Sequence, residues 1–222
     1  MNKILVEVSV GELLDKLTIL EIKKDKIKDA EKLKFINFEY DSLKEQYDKN
    51  VKVDEKIKNL FSELKEINAK LWDIEDNKRQ CEKDSKFDDH FILLSREIHF
   101  LNDKRASIKL EINNHTGSKI KDSEKLKFIN LEYDSLKEQY DKNVKVDDKI
   151  KNLFSELKEI NAKLWDIEDN KRKCEKDSKF DDHFILLSRE VHFLNDKRAN
   201  IKLEVNNHTG SKIKEIKEYT KY

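Results

Sequence analysis

The sequence predicts an all-α protein of long antiparallel helices, arranged as two near-identical helical-bundle repeat units, and three observations predict it. There is no proline and there are three glycines in 222 residues, so little interrupts a helix. Charged residues make up 42% of the chain, with Lys, Glu, Leu and Ile dominant, a composition that favours helices over sheets. Apolar residues recur at alternating spacings of three and four, the period of a coiled-coil-like seam.

The architecture is doubled because Glu31–Ser118 occurs twice. Glu124–Ser211 repeats it 93 residues later, and the 88 aligned positions differ at six: Phe38/Leu131, Glu55/Asp148, Gln80/Lys173, Ile98/Val191, Ser107/Asn200 and Ile112/Val205. Four of these changes are conservative, so both copies specify the same helices. The expected division is residues 1–118, a unique first helix with repeat A, and residues 119–222, repeat B with a C-terminal tail.

Residues 3–8 read as a short extended lead-in. Ser9-Val10-Gly11-Glu12 is a capping box: Ser9 caps the first helix, Glu12 sits at its third position, and Val8 with Leu13 forms a hydrophobic staple. The helix runs to about Lys28 with Val10, Leu13, Leu14, Leu17 and Leu20 on one face. At about 100° per residue Glu21 falls inside that face, which gives this carboxylate reason to find a partner. Asp29 caps a second helix over about 31–49 that carries Leu33, Ile36, Tyr40, Leu43 and Tyr47. No Gly or Pro separates it from the first, so one bent rod is the alternative. Asn50–Asp54 is a polar turn with Asp54 as the next cap.

The third helix carries the seam Ile57, Leu60, Leu64, Ile67, Leu71, Ile74, Lys78 and Cys81. Asp84–Lys86 breaks it. The fourth resumes with Phe87, Phe91, Leu94, Ile98, Leu101, Arg105, Ile108 and Ile112 and stops near Gly117. Repeat B has the seams Ile150, Leu153, Leu157, Ile160, Leu164, Ile167 and Phe180, Phe184, Leu187, Val191, Leu194, Arg198, Ile201, Val205. Ile213, Ile216 and Tyr219 make a short amphipathic tail.

Lys26-Ile27-Lys28-Asp29 returns as Lys119-Ile120-Lys121-Asp122 and as Lys212-Ile213-Lys214-Glu215. Three junctions at one period point to an unequal crossover within a shared Lys-Ile-Lys. The parent is then about 129 residues, 93 fewer than the 222 here, and the doubled chain owns two repeats but one first helix. The five apolar residues of that helix contribute about 1.5–3 kcal/mol each when buried, together comparable to the ~5–15 kcal/mol stability of a whole domain. The matching face of repeat B is therefore expected to be covered, by the tail, by the end of the fourth helix, by repeat A or by another chain, with repeat A and another chain the leading occupants.

Forty-seven basic and 47 acidic residues give no net charge and are interspersed, which speaks against a nucleic-acid or anionic-membrane binder. No apolar run reaches the length of a membrane span, and the N-terminus lacks a signal-peptide pattern. Cys81 and Cys174 are one position in two copies rather than a disulfide pair. A reduced, cytoplasmic protein is the expectation, and the sequons at Asn114 and Asn207 read as chance.

The candidate chemistry is sparse. Arg105, with Arg198 as its counterpart, interrupts an apolar seam, and counting residues between the turns brings Glu21 level with it. A buried Glu21–Arg105 pair is the sharp expectation; an arginine snorkelling at the seam edge is the plain one. Asn102, Arg105, Lys109 and Asn113 form a polar strip, matched by Asn195, Arg198 and Lys202. Such a strip suits an anionic ligand, or is a solvated helix edge.

Glu12/Asp15 and Asp73/Asp76 resemble the carboxylate spacing of helical Mg²⁺-dependent nucleotide pyrophosphatases. Metal ligands must converge in one site, and on the helical wheel these pairs lie opposite the apolar seams. Capping and surface charge explain them better. His90 and Cys81 lack zinc-ligand spacing and read as a surface histidine and a packed cysteine. Trp72, Trp165 and the phenylalanines read as core. No Gly-rich phosphate loop or serine elbow is present, so no catalytic residue, metal ligand or cofactor is assigned.

Val8-Ser9-Val10-Gly11-Glu12-Leu13, Asp15-Lys16 and Thr18-Ile19-Leu20-Glu21-Ile22-Lys23 resemble a domain-of-unknown-function family of small bacterial proteins. Leu71-Trp72-Asp73-Ile74-Glu75-Asp76, Asn102-Asp103-Lys104-Arg105-Ala106, Lys109-Leu110-Glu111-Ile112-Asn113 and the tail from Gly210-Ser211 to Tyr219 extend the match. The resemblance implies a neighbourhood of glycosyltransferase and lipopolysaccharide genes and no activity. Family members are single-copy, so the duplication departs from the pattern. The expectation is a non-enzymatic interaction or accessory module working through its helical faces, on a protein partner or on itself. The competing class is a binder of a nucleotide or sugar nucleotide, or a Mg²⁺-dependent helical nucleotide hydrolase.

Overall fold

The computed structural model describes residues 6–120, 126–214 and 216. Among them it is all-α, with seven helices and no strand: α1 Val10–Lys26, α2 Ala30–Asn50, α3 Glu55–Lys83, α4 Asp89–Thr116, α5 Leu126–Asn143, α6 Asp148–Lys176 and α7 Asp182–His208. None is long and apolar enough to cross a membrane.

The helix ends follow the local chemistry. Ser9 Oγ accepts the Glu12 N–H at 3.1 Å, so the predicted cap forms, and Val8 is 45% exposed. Ile27 is extended at φ −86°, ψ 131°, and Asp29 then caps α2 through the Glu31 and Lys32 N–H groups at 2.9 and 3.0 Å. The first two helices are therefore separate elements and not one bent rod. Asp54 caps α3 through the Ile57 N–H at 2.9 Å.

Ser85 ends α3 in the left-handed region at φ 52°, and the Lys86 N–H returns to the Cys81 carbonyl at 2.9 Å. That six-to-one bond closes the helix as a glycine usually would; Ser178 repeats it at φ 53°. Gly117, at φ 66°, ends α4 as the sequence predicts. Lys3–Ile4–Leu5 of the lead-in and Tyr219 of the tail lie outside the described residues.

All eight predicted seam positions of α3 are buried. On α4, Phe91, Leu94, Ile98, Ile108 and Ile112 are buried, with Leu101 and Arg105 half-buried; Phe87, predicted to open this seam, is half-buried but lies before the helix starts. The wide aromatic core is corrected: Trp165 is 73% exposed, and Phe38, Phe100, Phe154 and Phe193 are exposed as well. Trp165 sits one residue past the seam at Leu164, and Phe193 two past Val191. Rotations of about 100° and 200° carry them away from it.

The residues group into two compact units that do not coincide with the two repeats. One comprises residues 1–72 and 100–145, the other residues 73–99 and 146–222. In the first, α1 lies in the interior. Leu13 and Leu17 pack with Val51, Tyr40, Leu43, Tyr47 and Phe61, while Leu14, Asp15 and Thr18 are also buried. In the second, Leu153, Ile160, Leu164, Ile167, Leu187, Val191 and Ile201 form one core.

Candidate functional site

The polar strip of α4 is occupied by α1. Arg105 donates to Asp15 twice, Nε to Oδ1 at 2.8 Å and Nη2 to Oδ2 at 2.5 Å, a fork that fits a carboxylate plane. Asp15 is 1% exposed. Asn68 of α3 donates to the same Asp15 Oδ1 at 2.8 Å and to Thr18 Oγ1 at 2.9 Å. Lys109 reaches Glu12 at 2.6 Å, and the buried Asn113 accepts the Gly11 N–H at 2.6 Å. Gly11 is needed for that approach: a Cβ there would lie 2.5 Å from the Lys109 carbonyl oxygen. Asn102 is exposed and takes part in none of these contacts.

Two expectations are corrected. Arg105 pairs with Asp15, not Glu21; Glu21 instead holds Lys65 at 2.7 Å and accepts the Tyr40 hydroxyl at 3.2 Å. Burial and that carboxylate together push the Tyr40 phenol above its usual range. Asp15 is also not a solvent-facing carboxylate. Both errors share a cause: the wheel reading gave α1 one apolar stripe, whereas neighbours bury it on almost every side, leaving Lys16 exposed. A helix buried all round must satisfy any carboxylate it carries internally. Glu12 and Asp15 are thereby spent on Lys109 and Arg105. Asp73 is exposed and Asp76 half-buried, and among the described residues no group of three or more His, Cys, Asp or Glu side chains is disposed to hold a metal ion.

The same strip recurs on α7 without its α1. The register of α6 and α7 copies that of α3 and α4. Asp54–His115 and Lys56–Glu111 close at 2.8 Å each, and Asp147–His208 and Lys149–Glu204 at 2.7 and 2.9 Å. Asn195, Arg198 and Lys202 are half-buried. Among the described residues no carboxylate pairs with Arg198. Asn161, the counterpart of the buried Asn68, is exposed, and Asn206, the counterpart of Asn113, is half-buried.

A second polar cluster lies where residues 73–99 meet α6 and α7. Arg96 donates to Glu175 at 2.9 and 2.6 Å, and Arg189 to Glu82 at the same two distances. The two pairs are reciprocal: Arg189 is the repeat-B counterpart of Arg96, and Glu82 the repeat-A counterpart of Glu175, each 93 residues apart. Arg96 stacks on the Phe180 ring and Arg189 on Phe87, both 4.2 Å from the centroid. Arg79 joins Asp196 at 2.8 Å. Lys78, fully buried, donates to the Ser188 carbonyl at 3.2 Å, and desolvation brings its ammonium down to about 8.

His192 is buried 3.6 Å from Glu82 and His99 3.5 Å from Glu175. Desolvation lowers both, reinforced at His192 by Lys78 and Arg79, where the value reaches about 4. Glu175 is held below the usual carboxylate range by Arg96. The only hint in the sequence was the polar residues Lys78 and His99 on or beside an apolar seam. Cys81 is a buried free thiol raised by burial, and His90 is exposed.

These clusters hold helices together. No curated protein and no solved structure matches the chain. Residues 4–128 match a family of unknown function, DUF6165. With α1, the whole first repeat and more than half the chain inside that match, the protein belongs to this family.

Proposed function

We propose that the protein is a non-enzymatic helical interaction module that binds a protein partner through a helix face, as an accessory component in the cytoplasm. The observation that carries this reading is the use made of the strip: Arg105 is spent on Asp15 and Lys109 on Glu12. Residues that suit an anionic ligand instead fasten a helix. The free thiols of Cys81 and Cys174 fit a reducing compartment. The family resemblance at the first helix supports a place beside surface-polysaccharide biosynthesis.

A second reading is an anion-binding role for Asn195, Arg198 and Lys202, favoured by the half-buried Arg198 that no described carboxylate neutralises. A thermal-shift screen with sugar nucleotides and Mg²⁺ separates the two. The module reading expects no shift. A saturable shift that Arg198→Ala abolishes would replace it with the anion-binding one.

A further inference from the structure

We infer that the face of α6 and α7 around Arg198 is a docking groove for a partner protein's amphipathic helix that has the chemistry of α1. This deepens the module reading above and rests on it. The recognition elements are already seen at work in the first repeat, where Asn68, Arg105, Lys109 and Asn113 hold α1. Their counterparts Asn161, Arg198, Lys202 and Asn206 stand on α6 and α7, helices in the same register. Asn68 and Asn113, which bond to α1 in the first repeat, and two buried apolar positions beside them are opened in the second. Leu64, Asn68, Ile112 and Asn113 are buried, whereas Leu157, Val205 and Asn206 are half-buried and Asn161 is exposed.

The chemistry of the occupant follows from what α1 brings. An aspartate meets Arg198 and Asn161, as Asp15 meets Arg105 and Asn68. A leucine one residue before it takes the place of Leu14. A glycine four residues before it lets the helix backbone approach α7, as Gly11 approaches the Lys109 carbonyl. Opposite charge fixes the register: the strip offers a guanidinium, the helix a carboxylate. The occupant also comes from a different protein. Each copy of this chain carries one α1 and two such faces, so self-association always leaves half of the faces uncovered.

The test is fluorescence anisotropy of a labelled peptide of residues 6–28 titrated with the full chain. Saturable binding is expected at one peptide per chain. Arg198→Ala in the chain, or Asp15→Asn in the peptide, should weaken it about thirtyfold or more, the usual scale for truncating one partner of a buried charge pair. Asn161→Ala, at an exposed site, gives a second variant that keeps its fold, and it should weaken binding too. Absence of saturation would overturn the proposal, as would binding that Arg198→Ala and Asn161→Ala leave unchanged, since the peptide would then be exchanging with α1 on its own face. A thermal-shift arm with sugar nucleotides runs beside it: a failed peptide without a nucleotide shift removes this inference alone, whereas a nucleotide shift lost in Arg198→Ala removes the module reading as well.

Discussion

Arg105 and Asp15 form a two-bonded ion pair, at 2.8 and 2.5 Å, in which the carboxylate is buried and the guanidinium half-buried. The pair is unequal. Removing the arginine leaves a carboxylate in the interior, while removing the aspartate leaves a cation that can still reach water. Arg105→Met is therefore expected to cost about 3–5 kcal/mol and Asp15→Asn less. A double-mutant cycle by urea denaturation should show coupling above about 0.5 kcal/mol, and strict additivity would mean that the two side chains do not depend on each other.

Gly11 sets how closely α1 approaches α4. A methyl group there meets a backbone carbonyl oxygen at 2.5 Å, an atom that cannot swing aside. Gly11→Ala ordinarily favours a helix; here it should destabilise by about 1–3 kcal/mol, the scale of overpacking. Circular dichroism would keep its helical signal while the urea midpoint falls. An unchanged or higher midpoint would show that α1 and α4 stand further apart.

The buried histidines make stability depend on pH. His192 in the folded chain sits near 4, below its ordinary 6.5, and His99 moves the same way. The unfolded chain thus binds more protons between these values, so the contribution is present above about 6.5 and is lost as pH falls toward 4. For His192 the loss is on the order of 3 kcal/mol. Below the ordinary carboxylate range, Glu175, lowered by Arg96, loses its contribution in the same direction. Urea midpoints should drop from pH 7 to pH 4.5, with a shallower slope in His192→Asn. A flat profile, or an identical slope in the variant, would place His192 in contact with water.

The pairs Arg96–Glu175 and Arg189–Glu82 have the same partners once 93 residues are subtracted. One pair of residue types therefore closes twice, as it would between two identical chains. A shortened chain lacking residues 31–123 keeps α1 and a single repeat, and its pairs can close only with another molecule. Light scattering is expected to find it a dimer. A monomer at micromolar concentration would show that the contact depends on the intact chain.

Much of the fold was legible because periodicity and caps are local. The eight-position seam of α3, the caps at Ser9, Asp29 and Asp54, and the stop at Gly117 follow from spacing and residue type alone. The strip residues Arg105 and Lys109 were also legible, as cations set in or beside an apolar seam. Their partners were not. A helical wheel turns Asp15 toward water because it describes one helix against one neighbour, and α1 has several. Its adjacent Leu13 and Leu14, followed by Leu17 and a buried Thr18, carried a signal of burial on two sides that a single-stripe reading passes over. The Arg96–Glu175 contact depends on how the two repeats meet, which no local pattern records.

Two arginines in matching sequence surroundings differ in their contacts: Arg105 fastens α1 through Asp15, whereas among the described residues no carboxylate pairs with Arg198. Comparing Arg105→Met with Arg198→Met by urea denaturation tests this difference most directly. The expected outcome is a loss of about 3–5 kcal/mol for Arg105→Met and a change within about 0.5 kcal/mol for Arg198→Met, whose side chain pairs with no carboxylate among the described residues. Equal losses would contradict it.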